Sequence, residues 1–261
     1  MLIDTHAHLN FKAYDPDRAD VIDRVIAADM KVVNPASRLD NSQLAIDLAV
    51  KYPGRLYAAV GFHPIHLADT DYDYSAIKTF ARDHRQHLVA IGEIGLDYYR
   101  LPDGANHAEV IARQKEIFTE QYSLAIEQDL PVIVHCRDAY EDLLIELERI
   151  GPVHRGVIHC FLGDSALAQR FLNLGFHLGF TGIITFTKDE ALLDVARTMP
   201  LDKMLIETDA PYLAPVPRRG KRNEPVFVKY VAAKVAELRQ KSIDDIIEVT
   251  GENATKLFNL A

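Results

Sequence analysis

Cysteine is nearly absent: Cys136 and Cys160 are the only two in 261 residues. That is too few for a disulfide framework and fits a reducing cytosol. No uncharged apolar run approaches the roughly 18 residues of a membrane span. No basic segment precedes a hydrophobic stretch at the N-terminus, so no secretory signal is expected and the expected location is cytoplasmic, away from membranes. Positive charge is also short: 29 Lys and Arg against 38 Asp and Glu leave a formal net charge of −9. This excludes a protein that coats nucleic acid electrostatically, but not an enzyme that acts on nucleic acid through a small local site. The chain has no phosphate-cradling glycine loop, no Gly-x-Ser-x-Gly elbow and no dinucleotide fingerprint. It also has no Gly-, Ser- or Pro-rich linker, internal repeat or low-complexity tract, so residues 1–261 read as a single domain.

What is present is ordinary globular composition, 48% hydrophobic and 26% charged, arranged as short apolar runs alternating with helix-period segments. The runs expected as strands are Leu2–His6, Lys31–Asn34, Arg55–Gly61, Leu88–Glu93, Pro131–Cys136, Val157–Phe161, His177–Phe180 and Met204–Glu207. Val132-Ile133-Val134 and Met204-Leu205-Ile206 are apolar throughout, as strands covered on both faces must be. Between the runs, Leu143, Leu147 and Ile150, then Leu167, Phe171 and Leu174, form helical stripes. Asp164 is the expected N-cap and Gly175 the expected stop of the second. Pro225 stands where a first-turn proline belongs, and Ser242 with Asp245 has the form of a capping box. Eight such units predict a TIM (β/α)8 barrel, an architecture of about 250 residues, in preference to an open doubly wound sheet. In an open sheet the chemistry-bearing residues would gather at one switch point; here they end many different strands.

The first strand ends His6-Ala7-His8, and side chains two apart on a strand share a face. Glu93 ends the fourth run, His135 and His159 fall within the last three residues of the fifth and sixth, and Asp209 follows the eighth. Buried charges without partners cost several kcal/mol, so a ring of them at one end of a barrel implies a cation. His6, His8, Glu93, His135, His159 and Asp209 are more ligands than one tetrahedral ion needs. Two divalent ions roughly 3.5–4 Å apart would use them all, with Glu93 as the bridge. Mg²⁺, Mn²⁺ or Zn²⁺ suits the donors, Mg²⁺ only if water and substrate oxygens complete its shell. His63, in Gly61-Phe62-His63-Pro64, is expected to face substrate. Arg137 suits bidentate capture of a phosphate or carboxylate, and the Arg218–Arg222 run could add positive charge at the same face. His66, His84, His87, His107, His154 and His177 are expected to be surface or packing residues. Cys136 and Cys160 are expected to be small buried residues facing away from the barrel interior. Gln114 and Gln121, on one helix stripe with Phe118, are expected to hydrogen-bond the Glu93 loop.

In combination, Asp4-Thr5-His6-Ala7-His8, Gly61-Phe62-His63-Pro64, Gly92-Glu93-Ile94-Gly95-Leu96-Asp97-Tyr98-Tyr99, Pro131-Val132-Ile133-Val134-His135-Cys136-Arg137-Asp138, His159-Cys160-Phe161 and Glu207-Thr208-Asp209-Ala210-Pro211-Tyr212-Leu213 resemble the TatD family of metal-dependent deoxyribonucleases. Arg219-Gly220-Lys221-Arg222-Asn223-Glu224-Pro225 is similar to its YcfH-like branch. The resemblance implies a cytosolic two-metal hydrolase, a nuclease of DNA or RNA with 3′ to 5′ exonuclease character for which nucleic acid is substrate rather than stable partner. It implies that His6 and His8 hold one ion with Glu93 and Asp209, and that Glu93 bridges to a second ion held by His135 and His159. His63 and Arg137 sit where the family contacts the substrate phosphate. Catalysis is then expected from Glu93, His63, Arg137 and Asp209, the last positioning or deprotonating the attacking water.

Two rivals stand beside this reading. A small-molecule amidohydrolase would cleave an amide, lactone or phosphotriester in the same kind of barrel, but many of these bridge their metals with a lysine on strand four, where this chain has Glu93 and no lysine. A catalytically idle metal-binding scaffold would have no need of Asp209 or Arg137.

Overall fold

The computed structural model describes residues 1–68, 70–151 and 155–260, so His154 lies outside the described residues. The strands are β1 (Ile3–Asp4), β2 (Lys31–Pro35), β3 (Leu56–Val60), β4 (Leu88–Asp97), β5 (Val132–Arg137), β6 (Gly156–Ile158), β7 (His177–Phe180) and β8 (Met204–Ile206). Each pairs in parallel with the next, in the order β1 to β8. The seam between β8 and β1 is joined by single hydrogen bonds. Thr5 N–H donates to the Ile206 carbonyl at 3.3 Å, Asp209 N–H to the His6 carbonyl at 2.8 Å and His8 N–H to the Ala210 carbonyl at 2.7 Å. The result is the expected TIM barrel.

The strands are wrapped by α1 (Arg18–Ala27), α2 (Leu39–Lys51), α3 (Tyr74–Asp83), α4 (His107–Glu127), α5 (Tyr140–Ile150), α6 (Ser165–Asn173), α7 (Glu190–Thr198) and α8 (Val228–Arg239), and a further helix, α9 (Ile243–Phe258), follows. Local signals act where the sequence puts them. Asp164 accepts from Leu167 N–H at the start of α6, and Ser242 accepts from Asp245 N–H at the start of α9. Gly175, just beyond α6, has φ 96°, a conformation without cost only for glycine. Pro225 opens a short 3₁₀ turn that leads into α8. Among the described residues no helix is long and apolar enough to cross a membrane.

Two apolar layers result. The larger lies between sheet and helices and includes Val32, Val60, Phe118, Leu143, Phe171 and Val235. The smaller fills the barrel interior with Ile3, Val33, Ala59, Ala90, Ile133, Val157 and Leu205, and closes on Ala254, Leu257 and Phe258 of α9. Asn253 holds that helix under the barrel by donating to the carbonyls of Leu201 and Met204, both at 2.9 Å. The N-terminal mouth is thereby plugged, which leaves the C-terminal mouth for chemistry.

The clearest departure from expectation is β4, which continues past Glu93 to Asp97. Between Ile91 and Ile94 its register against β5 shifts by one residue, a bulge that re-aims the intervening side chains. Glycine makes this possible. A Cβ on Gly95, at φ 148°, would run into the His135 carbonyl, and one on Gly92 would run into Ile133.

Candidate metal centre

The bulge turns Glu93 away from β5. Its N–H bonds across to the Ala36 carbonyl at 2.9 Å, and its carboxylate stands in the C-terminal mouth. The two carboxylate oxygens meet two different groups of donors. Oε2 lies 3.4 Å from His6 Nε2 and 3.8 Å from His8 Nε2. Those two ring nitrogens are 3.1 Å apart, and Asp209 Oδ1 is 3.9 Å from the first and 3.4 Å from the second. Oε1 lies 3.1 Å from His135 Nδ1, 3.4 Å from His63 Nε2 and 3.9 Å from His159 Nε2. His159 Nε2 is also 3.9 Å from Asp209 Oδ1.

These separations fit a metal centre. Four N and O donors whose neighbours are 3.1 to 3.9 Å apart surround a point about 2 Å from each, the bond length such donors make to a divalent transition metal. His6, His8 and Glu93 form one compact group of potential ligands, and His63, Glu93 and His135 a second. All six residues expected as ligands come together in the mouth. His63, expected to face substrate, is only 5% exposed and belongs to the same cluster.

Buried groups outside the cluster hold it in place. His8 Nδ1 pairs with the Pro35 carbonyl at 3.0 Å, which leaves Nε2 as the free lone pair. His135 Nε2 lies 3.0 Å from Asp97 Oδ2, and His159 Nδ1 lies 2.7 Å from Glu207 Oε1. Asp4 clamps the β8–β1 seam. It accepts from His6 N–H at 3.2 Å, from Thr208 N–H at 2.9 Å and from Thr208 Oγ1 at 2.6 Å. Asp4, Asp97 and Glu207 were not singled out from sequence. The available signal was strand alternation, which puts Asp4 on the face of His6 and Glu207 on the face of Asp209.

The electrostatics suit a cation. Burial alone would raise the Glu93 and Asp209 carboxyl pKa values, but the surrounding imidazoles hold both below the ordinary range. Burial lowers His6, and lowers His63 to about 4, so both rings are neutral donors. Burial also opposes charge on His159, yet Glu207, Glu93 and Asp209 outweigh it and push that ring up to about 10. His135 is raised in the same way by Asp97 and Glu93 against burial. In the absence of a metal the carboxylates draw protons onto these two rings, His135 and His159. Burial raises Asp4 to about 8 despite its bonds to Thr208.

Outside the cluster, α4 steadies two neighbouring segments. Gln121 accepts from Phe62 N–H at 2.7 Å and donates to the Phe62 carbonyl at 3.1 Å. Gln114 makes the same pair of bonds with Asp97, at 2.8 and 3.0 Å. Gln114 thus bonds the segment that follows Glu93, as expected, although that segment is the extended end of β4 rather than a loop; Gln121 instead bonds the residue before His63. Cys136 is buried in the outer layer, as expected, but Cys160 is not. It follows β6 at φ 46°, is half-buried at the mouth, and donates its N–H to Glu207 Oε1 at 2.6 Å. The strand ends earlier than the apolar run suggested, so alternation no longer governs its direction.

Among the described residues no carboxylate pairs with Arg137, whose guanidinium carbon lies 3.6 Å over the Tyr99 ring. The 218–222 run divides. Arg222 is taken up by Asp17, at 2.6 and 2.8 Å, and by the Ala13 carbonyl. Arg218 packs against Phe227, and Arg219 lies 3.9 Å over Phe186 while donating to the Ala214 carbonyl.

Residues 3–259 match the TatD related DNase family, and the chain belongs to it. It is 40% identical over its full length, and that of the relative, to YabD of Bacillus subtilis, an uncharacterized metal-dependent hydrolase. It is 37% identical to YcfH of Escherichia coli K12, described in the same terms, over 99% of this chain and 96% of the relative. The crystal structure of YjjV, a TatD homolog from Escherichia coli K12, superposes with a TM-score of 0.90 at 33% identity, covering 100% of this chain and 98% of that one.

Proposed function

We propose that this TatD-family chain, a metal-dependent hydrolase, cleaves phosphodiester bonds of DNA or RNA from the 3′ end, with two divalent ions shared across Glu93. The observation that carries the reading is the division of labour in that carboxylate: Oε2 faces His6 and His8, and Oε1 faces His135 and His63. His6, His8, Glu93 and Asp209 would hold one ion. Glu93 and His135, with His63 and His159 beside them, would hold the other. Divalent ions in such a site polarise the phosphoryl group, lower the pKa of water and stabilise the leaving oxygen.

The side chains supply the rest. Among the cluster's carboxylates Asp209 is the most open, at 16% exposure against 5% for Glu93 and none for Glu207, so it faces the attacking water. Held ionised at neutral pH by the surrounding imidazoles, it would accept a hydrogen bond from that water and orient it, and would take its proton once a bound ion had lowered the water's own pKa. Arg137, without a carboxylate partner among the described residues, is available to a phosphate oxygen. Two free thiols persist in a reducing compartment, and we assign the protein to the cytosol. The test is turnover of a single-stranded oligonucleotide beside a panel of esters, lactones and amides, with metal content measured in parallel. Hydrolysis of the oligonucleotide supports the reading. Turnover confined to amides or lactones would transfer the site to small-molecule chemistry, and no turnover by fully loaded protein would leave a binding scaffold.

A further inference from the structure

The sequence holds 11 Phe and 11 Tyr and no Trp. Among the described residues only three of these rings are exposed: Tyr99 at 62%, Tyr212 at 55% and Phe186 at 37%. All three lie on loops that follow β4, β7 and β8 at the C-terminal mouth. Chance exposure would scatter them over the helices, as it scatters Ile26, Val50 and Ile145. Two of the three carry a guanidinium on one face, Arg137 over Tyr99 and Arg219 over Phe186. Neither arginine has a carboxylate partner among the described residues, whereas Arg24, Arg170 and Arg197, on the outer helices, do. The Tyr99 and Arg137 pair belongs to the β4–β5 side of the mouth and the Phe186 and Arg219 pair to the β7–β8 side, with the acidic metal centre between them. The second pair is braced, because Val216 N–H donates to Thr185 Oγ1 at 2.9 Å and ties the two loops together.

From this arrangement, and resting on the phosphodiesterase reading above, we propose that Tyr99 and Phe186 are base-stacking shelves. Each takes one unpaired nucleobase of the substrate strand on its ring, and its arginine takes the adjoining phosphate. A flat ring with a cation beside it is the arrangement that grips single-stranded nucleic acid without reading sequence, because every base offers a π-face. A duplex keeps its base faces stacked inside and has nothing to offer such a shelf. The two cations also answer how a chain of net charge −9 with an acidic centre holds a polyanion: attraction is confined to the rim. Tyr212 is set apart by its place three residues after Asp209, to whose backbone carbonyl its N–H donates at 2.8 Å, nearer the reacting centre.

The test compares Tyr99→Ala and Phe186→Ala with Tyr99→Phe and Phe186→Tyr in metal-loaded protein. Three substrates are used: a short single strand, the same strand with abasic positions flanking the scissile bond, and bis(p-nitrophenyl) phosphate, which has no base. Each alanine variant is expected to raise KM for the normal strand about tenfold, the effect of losing one stacked base. It should leave kcat and the turnover of the small diester unchanged, and the aromatic replacements should restore KM. On the abasic strand wild type and alanine variants should coincide. Anisotropy with a labelled phosphorothioate strand should show the same loss in affinity without chemistry. An unchanged KM and affinity would overturn the proposal. An equal loss on normal and abasic strands would also overturn it, and would mean that the rings only steady Arg137 and Arg219. If wild-type protein binds the phosphorothioate strand through the shelves but hydrolyses neither diester, the phosphodiesterase reading fails and the shelves stand.

Discussion

His159 is held from its far end by Glu207: Nδ1 lies 2.7 Å from Oε1 of a carboxylate with no exposure, while Nε2 faces Glu93 and Asp209, each at 3.9 Å. One ring therefore faces three carboxylates, two of them buried and the third, Asp209, partly open. A divalent ion and a proton compete for it, since metal requires the neutral ring.

That competition has a pH signature in metal-free protein. The folded-state pKa of His159, about 10, is above its ordinary value of 6.5. The stability it contributes is complete below the lower value and is lost as pH rises through the higher. Chelated wild type should therefore melt at a lower temperature at pH 10 than at pH 6.5. Glu207→Gln should flatten that slope, as thermal melts across the range would show. An identical slope in the variant would remove Glu207 as its cause.

Chelation should abolish hydrolysis, and Mg²⁺, Mn²⁺ or Zn²⁺ should restore it. Full activity of the stripped protein would end the metal mechanism.

Glu93→Gln leaves one carbonyl oxygen where two carboxylate oxygens served two donor groups. If the site holds the two ions proposed, metal content should fall from two per chain to one, with kcat falling alongside. Two ions retained in the variant would show that the histidines and Asp209 suffice without a bridge.

Asp209→Asn keeps the size of the side chain and one oxygen but accepts no proton from water. Removal of a general base typically costs about 10²–10⁴ in rate. We expect kcat to fall by that order with oligonucleotide affinity little changed, metal content being measured on the same sample. Near wild-type kcat with both ions bound would make Asp209 a replaceable ligand.

Arg222→Ala should lower the melting temperature, because it releases the 218–222 loop from Asp17 and the Ala13 carbonyl, and should leave KM for a short strand unaltered. A raised KM with unchanged stability would return Arg222 to the phosphate-binding role that its place in a basic run suggests.

Much of this protein was legible in one dimension. Apolar runs such as Val132-Ile133-Val134 can only be strands covered on both faces, and helix stripes with caps at Asp164 and Ser242 set the alternation that closes into a barrel. His6, His8, Glu93, His135, His159 and Asp209 could be picked out because charge directly after a buried strand is costly unless something binds there. Tertiary structure decided what depends on distance rather than order. The bulge at Glu93 arises from contact between β4 and β5, so the run Leu88–Asp97 reads as ending where it only bends. Asp97, Glu207 and Asp4 acquire their roles through His135, His159 and Thr208, which lie 38, 48 and 204 positions away along the chain. Arg222 and Arg219 look alike in sequence, yet one is consumed by Asp17 and the other rests on Phe186. Local propensity is written in neighbours along the chain; the pairing of buried charges is settled only when the barrel brings distant strand ends within bonding range.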